Sequence, residues 1–253
     1  MKQLSRDLKI LQISDLHMGT TMDIGKLKDC CDKMQREKPD LIALTGDIFD
    51  ENTSRQEMEA AAKVLGAVKA EYGTYYVFGN HDYNAYTGTP AYSPEELCST
   101  LESSGIVVLK DRVYNVNDEL TVIGRTDASV GSMVSPKGRT GIEELCREAD
   151  GNTFVLLLDH QPTELPENAE AGVDLQLSGH THAGQIWPTG QVGELTGFTE
   201  LNYGWKEIGG LQVIVSSGIG GWGYPIRTGG HSEYVVVTVS AEKNAHTARV
   251  FAP

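Results

Sequence analysis

Short apolar runs recur along the whole chain, and each is bounded by glycine, proline or polar residues that favour turns. Runs of this kind are typical of strands that are buried on both faces of a sheet. We predict nine strands, at Leu8–Ser14, Leu41–Thr45, Thr74–Phe78, Ile106–Leu109, Thr121–Ile123, Phe154–Leu158, Val173–Leu177, Leu211–Ser216 and Tyr234–Val239.

The segments between the early strands carry helical patterns. Asp23–Glu37 places Leu27 and Met34 on one face and ends before Pro39. We predict four helices, at Asp23–Glu37, Ser54–Glu71, Ser93–Ser103 and Thr140–Ala149. The alternation of strand and helix in the first half predicts a mainly parallel sheet. The second half is richer in strands and glycine loops, so we expect one domain, residues 1–253, with two packed sheets and helices outside.

Composition and charge narrow the class of protein. The 253 residues are 40% hydrophobic and 22% charged, which is typical of a globular protein. The longest apolar run, Phe154–Leu158, is far shorter than the roughly 20 residues that a membrane-spanning helix needs. The net charge of −14 opposes binding to nucleic acid and to anionic membrane surfaces. We therefore expect no nucleic-acid partner and no transmembrane segment in this chain.

The cysteines and the first residues bear on the compartment. None of the four cysteines forms a CxxC pair or adjoins a histidine, which indicates buried thiols in a reducing compartment. No signal peptide is visible, because Met1–Lys9 is polar and leads directly into a strand. We expect a cytoplasmic protein, or a membrane-associated or exported one if an anchor precedes Met1.

Five short polar motifs directly follow predicted strands. They are Asp15-Leu16-His17, Gly46-Asp47, Gly79-Asn80-His81-Asp82, His160 and Gly179-His180-Thr181-His182. Loops at the carboxyl ends of strands can converge on one point. The metal-ligand candidates number seven: Asp15, His17, Asp47, Asn80, His160, His180 and His182. Seven ligands are too many for one tetrahedral ion but suit two ions if a carboxylate bridges them, and such a pair can clamp an in-line displacement at phosphorus.

In this order the motifs resemble the signature of the calcineurin-like metallophosphoesterases, which reads DxH, GD, GNH[DE], H and GHxH. Two further segments, Leu177–Ile186 and Gly221–Arg227, are similar to a bacterial branch whose members are often membrane-anchored or exported phosphodiesterases. The resemblance implies an α/β fold, namely a four-layer αββα sandwich of two mixed sheets flanked by helices. It places the metal site at the carboxyl ends of the strands.

The resemblance also implies roles for single residues. It assigns the first metal to Asp15, His17, Asp47 and His182, and the second to Asp47, Asn80, His160 and His180, with Asp47 bridging. His81 would contact the phosphate and act as general acid, and Asp82 would orient His81 and favour its protonated form. Carboxylate and amide oxygens beside imidazole favour Mn²⁺, with Fe, Zn or Ni as other candidates. The cofactor is thus expected to be two divalent or trivalent ions.

The expected function is metal-dependent phosphodiester hydrolysis, with attack by a metal-bridging hydroxide and protonation of the leaving oxygen by His81. The segment Gly46–Asn52 lacks the arginine that the protein Ser/Thr phosphatases of this superfamily carry there, although it does resemble that of DNA-repair nucleases. A phosphomonoesterase, a nuclease and a non-catalytic metal-binding scaffold remain the alternatives. The expected substrate is a small phosphodiester with a lipid-like or other organic alcohol, and the oligomeric state is left open.

Other polar and aromatic residues are weaker candidates. Arg125, Arg227 and His231 are candidate substrate contacts, because a guanidinium can fork onto a phosphate. The segment Gly218–Gly223 matches GxGxxG, but the residues after it break any helix, which excludes a dinucleotide site. Six aromatic residues could wall a pocket for an organic substituent: Tyr83, Tyr86, Tyr92, Trp187, Trp205 and Trp222.

Overall fold

Two six-stranded sheets form the centre of the protein in its computed structural model, which describes residues 4–134, 138–197, 199–224, 226–241 and 246–251. The strands are β1 (Leu8–Ile13), β2 (Leu41–Leu44), β3 (Thr74–Tyr76), β4 (Ile106–Val108), β5 (Arg112–Asn115), β6 (Leu120–Gly124), β7 (Phe154–Leu158), β8 (Leu175–Ser178), β9 (Gly204–Ile208), β10 (Leu211–Val215), β11 (Tyr234–Val239) and β12 (His246–Phe251). The first sheet has the order β12-β11-β1-β2-β3-β4, and the second has the order β5-β6-β7-β8-β10-β9.

Both sheets are mixed. In the first, β1 to β4 run parallel, while β11 pairs antiparallel with β1 and β12 with β11. In the second, β6, β7, β8 and β10 run parallel, while β5 and β9 are antiparallel edge strands. Parallel strands point their carboxyl ends to one edge of a sheet, which is where the polar motifs follow them.

Helices pack against the outer faces of both sheets, and further short helices lie in the connecting loops. They are α1 (Ile24–Arg36), α2 (Arg55–Ala67), α3 (Pro94–Ser103), α4 (Gly131–Val134), α5 (Ile142–Glu148), α6 (Leu165–Glu170) and α7 (Thr189–Leu195). Local chemistry fixes the longer helices, since Asp23 caps α1, and Ser54 and Ser93 begin capping boxes at α2 and α3. Among the described residues no helix has the length and apolar content to cross a membrane.

Three clusters of buried apolar residues fill the space between the two sheets and between each sheet and its helices. In β1, Leu11 and Ile13 face α1 to α3, whereas Ile10 faces the second sheet. In β7, Leu156 packs between the sheets and Leu157 packs outward towards α5 and α6. Because inner strands are covered on both faces, their sequences are continuously apolar. The predicted αββα sandwich is confirmed, whereas the assignment of residues 1–253 to one domain stays a prediction.

The elements differ from the sequence prediction in three ways. The nine predicted strands are present, but β5, β9 and β12 were not predicted. β5 and β9 lie at sheet edges with mostly exposed side chains, so they lack the apolar run that marks a buried strand. α2 ends at Ala67 and not at Glu71, because Val68 is extended and its side chain packs into the core. The short helices α4, α6 and α7 were also missed.

Candidate metal centre

Side chains from both sheets converge in two clusters beyond the ends of β1, β2, β3, β7 and β8. In each cluster the potential ligand atoms lie within 4.8 Å of one another. One cluster contains Asp15, His17 and His182, and the other contains Asp47, His160 and His180. All of these side chains are buried except that of His180, which is half-buried. The structure thus brings together six of the seven residues that the sequence marked as ligands.

In the first cluster the nitrogen atoms face one another. The Nε2 atoms of His17 and His182 are 3.2 Å apart, and His182 Nε2 lies 3.5 Å from Asp15 Oδ1. His17 Nδ1 lies 3.3 Å from Asp50 Oδ2. A carboxylate behind a histidine sets the tautomer that turns the other ring nitrogen into a metal ligand. The Asp50 carboxylate therefore favours the tautomer in which the Nε2 atom of His17 is free to ligate a cation, and the Nε2 atom of His182 faces the same point.

In the second cluster, too, a contact at one ring nitrogen of a histidine leaves the other nitrogen free. His160 Nδ1 donates to the backbone carbonyl of Thr45 at 2.8 Å, so its Nε2 is free to act as a ligand. That Nε2 lies 3.1 Å from Asp47 Oδ2 and 3.3 Å from His180 Nδ1. Atoms with lone pairs at such distances need a hydrogen atom or a metal ion between them.

Asn80, the seventh candidate, offers an oxygen with no competing bond. Its Nδ2 donates to Tyr86 Oη at 3.2 Å, which fixes the orientation of the amide. Within the described part of the chain its Oδ1 is buried and has no hydrogen-bond partner. A buried amide oxygen without a partner is costly unless it meets a cation. The residues present therefore fit the two metal ions that the fold family implies.

Electrostatics favour the neutral, metal-ligating form of two of the histidines, His180 and His182. Burial lowers the pKa of His182 to about 4, and burial together with the charge of His160 lowers the pKa of His180. Both rings are thus neutral near pH 7, as metal ligation requires. For the pair of Asp47 and His160, burial opposes both charges, but their mutual attraction lowers the pKa of Asp47 and raises that of His160.

His81 is held by Glu51, a residue that the sequence analysis missed. His81 Nδ1 lies 2.9 Å from Glu51 Oε2, and the His81 backbone N–H donates to Asp47 Oδ1 at 2.9 Å. Burial lowers the pKa of His81, but the hydrogen bond to Glu51 and the charge of Asp47 outweigh it and raise the pKa above its ordinary value. The signal in the sequence was the acidic residue that directly follows Asp50 in the loop that begins at Asp47.

Asp82 has a different task from the one expected. Its carboxylate accepts hydrogen bonds from the backbone N–H groups of Asp47, Phe49 and Gly79, at 2.8 to 2.9 Å. The prediction that Asp82 orients His81 is therefore wrong, because both of its oxygens are occupied in tying the loops after β2 and β3 together. Burial and the charge of Asp47 raise the pKa of Asp82, while the amide donors hold it down.

Two motif glycines make room for the ligand carboxylates. A Cβ at Gly79 would overlap Asp47 Oδ1, and a Cβ at Gly179 would overlap Ser14 Oγ and Asp15 Oδ2. Any larger residue at either position would displace a ligand. The glycines of these motifs are thus explained by close approach.

The backbone at the ligands is also unusual. The left-handed region of φ contains Asp15 (52°), His17 (46°), Asp47 (51°), His180 (72°) and His182 (51°). Such conformations are uncommon for residues other than glycine, and they cluster at functional sites where surrounding structure imposes them. The backbone thus turns sharply at these five residues and directs their side chains towards the common point.

The predicted substrate contacts Arg125 and Arg227 are corrected by their surroundings. Arg125 is buried and pairs with Glu164 at 2.7 Å and with Asp159 at 3.6 Å, so no substrate can reach it. Arg227 donates to backbone carbonyls, including those of Ser217 and Gly220, and clamps two loops together. His231 is exposed, and its role stays a prediction.

Some of the aromatic residues lie at the site. The rings of Tyr86 and Trp222 are 5.0 and 5.9 Å from that of His81, and both line a cavity of about 780 Å³ beside His180 and His182. Trp187 is exposed on the neighbouring loop. By contrast, Tyr83 and Tyr92 pack into the core and Trp205 lies on β9, so these three do not line that cavity.

Comparisons with known proteins agree with this geometry. A family model described as calcineurin-like phosphoesterase matches residues 8–184. An uncharacterized metallophosphoesterase of Aquifex aeolicus is 31% identical over 239 residues, which cover 94% of this chain and 87% of that protein. A Danio rerio transmembrane protein with metallophosphoesterase domain is 29% identical over 236 residues, which cover 89% of this chain and 52% of that protein.

The fold is also similar to that of a dimetal phosphatase from Danio rerio, with a TM-score of 0.58 at 13% identity, over 97% of this chain and 99% of that one. The family match covers most of the chain and includes the motif glycines and both ligand clusters. The chain therefore belongs to the calcineurin-like phosphoesterase family, and its clusters are those of a metal-dependent phosphoester hydrolase.

Proposed function

We propose that this protein hydrolyses phosphodiesters at a two-metal centre. The observation that carries the choice of a diester is the lining of the cavity beside the ligands. Among the described residues, its walls contain no lysine or arginine, and its one charged side chain is Glu200. A phosphomonoester carries about two negative charges near pH 7 and a diester one, so a cavity without cationic side chains suits the diester better.

The ligands follow from the two clusters. Asp15, His17 and His182 would hold one ion, and Asp47, Asn80, His160 and His180 the other, with Asp47 shared between them. When bound, two such cations supply Lewis acidity and an activated water for displacement at phosphorus. We expect Mn²⁺ to serve best, because the set mixes imidazole with carboxylate and amide oxygen.

His81 acts as the general acid in this proposal. Glu51 accepts the Nδ1 proton and fixes the ring, which leaves the Nε2 proton for the leaving oxygen. Tyr86 and Trp222 flank the imidazole and restrict its movement. Asp82 supports the reaction only indirectly, by holding the Asp47 backbone through the loops after β2 and β3.

The test compares bis-p-nitrophenyl phosphate with p-nitrophenyl phosphate. The protein is stripped of metal and reloaded with Mn²⁺, Fe²⁺, Zn²⁺ or Ni²⁺, and its metal content is measured. We expect metal-dependent turnover with a higher kcat/KM for the diester. Preference for the monoester would make the protein a phosphatase, and no turnover of either compound by fully loaded protein would favour a non-catalytic scaffold.

A further inference from the structure

Exposed apolar side chains surround the cavity beside the metal ligands. We call five of them the apolar rim: Ile186, Trp187, Trp222, Tyr224 and Ile226. Each exposes between 45% and 75% of its surface. Single exposed apolar residues need no explanation, but a contiguous patch at the mouth of a site indicates a binding surface.

The rim is one surface because Gln185 joins its two loops. The Gln185 Nε2 group donates to the backbone carbonyls of Trp222, Tyr224 and Ile226 at 2.9 to 3.2 Å, and its Oε1 accepts from the Trp222 N–H. The Trp187 N–H donates to Thr228 Oγ1 at 3.0 Å. These backbone groups thus form their hydrogen bonds between the two loops, and the apolar side chains of the rim are left facing outward.

The same two loops are depleted of charge. Among Asp, Glu, Lys and Arg, residues 183–199 contain only Glu194 and residues 217–232 contain only Arg227, although these four types make up 22% of the whole chain. Glu194 accepts the backbone N–H of Asn202, and Arg227 donates to backbone carbonyls. A surface meant only for water would carry free charges, so this composition points to a partner that is itself apolar.

The cavity leads from the rim to the ligands. Ile186 and Trp222 belong to both the rim and the cavity lining, and His180 and His182 belong to both the lining and the ligand clusters. Gly190 and Gly193 of α7 also line the cavity, and a Cβ at Gly193 would meet only Thr199 at ordinary van der Waals distance, so this part of the wall has room for a ligand. Its volume of about 780 Å³ is within the range of small-molecule sites.

We propose that the substrates are lipid phosphoesters taken from a lipid–water interface. Resting on the proposed function, this inference places the phosphoester at the ligand clusters, an apolar chain in the cavity and the rim in the interface. The net charge of −14 and the lack of free basic side chains in the rim loops mean that attraction to anionic headgroups contributes little. Binding therefore depends on apolar contact and not on charge.

The first experiment measures the effect of chain length. A series of p-nitrophenyl alkyl phosphodiesters with methyl, butyl and octyl groups is used below the concentration at which they aggregate, on Mn²⁺-loaded protein. We expect kcat/KM to rise about fourfold for each methylene that the cavity buries. Gly193→Leu fills the cavity and should flatten the series, and Ile186→Ser is the second variant in case the first fails to fold.

The second experiment measures flotation with phosphatidylcholine vesicles. The wild-type protein should float at low and at high salt, and the double variant Trp187→Ser/Ile226→Ser should bind at least about tenfold more weakly. Trp205→Ser, which removes an exposed tryptophan outside the rim, is the matched control and should float like the wild type. Equal loss in the control would overturn the role of the rim.

The outcomes separate this inference from the proposed function. Turnover of the methyl ester without chain-length dependence or flotation would overturn the lipid proposal and leave the phosphodiesterase intact. No turnover of any ester by fully loaded protein would refute the phosphodiesterase, while flotation would still test the rim. Chain-length dependence without flotation would overturn the interfacial part.

Discussion

The ligand clusters and the apolar rim lie on either side of one cavity, yet they are built in opposite ways. The ligands are buried at strand ends, and carboxylates such as that of Asp82 tie their loops together. The rim is exposed and nearly free of charge, and its two loops are held by the neutral side chain of Gln185 together with the guanidinium of Arg227. Changes among the ligands should therefore remove the reaction, whereas changes in the rim should alter which ester is accepted.

The largest effect is expected for Asp47→Asn. Residues that only orient ligands already change metal affinity by about 10–100-fold, so loss of a shared ligand should lower kcat/KM by at least about 10²-fold. Metal content and turnover of bis-p-nitrophenyl phosphate should fall together. Asp118→Asn, in the exposed turn between β5 and β6, is the control. Full activity in Asp47→Asn protein that has lost metal would contradict the two-metal proposal.

His81→Ala should separate chemistry from metal binding. We expect the metal content to be retained and the rate to fall by about 10²–10⁴-fold, because the leaving oxygen loses its proton donor. The loss should be larger for alkoxide leaving groups than for p-nitrophenolate. The exposed His231 serves as the comparison through His231→Ala. Equal losses for good and poor leaving groups would argue against a general acid at position 81.

Glu51→Gln should give a smaller loss with the same leaving-group trend. The neutral amide holds the imidazole less firmly and stabilises its protonated form less, so we expect about a tenfold decrease in kcat.

Asp82→Asn is the contrasting variant, since it weakens hydrogen bonds to three backbone amides. It should lower the free energy of unfolding by about 1.5–3 kcal/mol and leave the leaving-group dependence unchanged. If Asp82→Asn gave the leaving-group-dependent loss of kcat and Glu51→Gln only lowered stability, Asp82 would be restored as the partner of His81.

The smallest effect is expected for Gln185→Ala. Loss of its hydrogen bonds to the opposite loop should lower the free energy of unfolding by about 1 kcal/mol and Tm by about 2–4 °C. Amide hydrogen exchange should quicken at residues 221–229 and stay slow at the Asp47 and Gly79 amides. Faster exchange at those two amides would show that rim and ligand clusters unfold as one unit, contrary to the comparison above.

The sequence predicts the buried part of this protein well for a physical reason. A strand covered on both faces must be apolar throughout, as β7 is. The polar motifs come directly after such strands, so the apolar run also marks where each motif begins. Edge strands such as β5 and β9 obey no such constraint, because their side chains meet water. Their pairing depends on neighbours that are distant in sequence, so a local pattern could not reveal them.

Within the site, the ligand candidates were easier to predict than their supporting residues. Metal ligands need particular atoms, which limits the residue types to Asp, His and Asn. Which carboxylate supports His81 depends on how two loops cross, and so Glu51 was missed while Asp82 was given its role. Arg125 and Arg227 were misassigned because a guanidinium binds protein oxygens as readily as phosphate.

The left-handed backbone at five ligands restricts how this centre can evolve. Asp, Asn and His are the residues after glycine that tolerate this conformation most readily, and here the proposed metal ligands that adopt it are all Asp or His. A substitution by Glu or Cys would therefore be selected against twice, once by coordination geometry and once by torsional strain. New metal preferences in this lineage are expected to arise from residues around the ligands, such as Asp50 behind His17, and not from exchange of the ligands themselves.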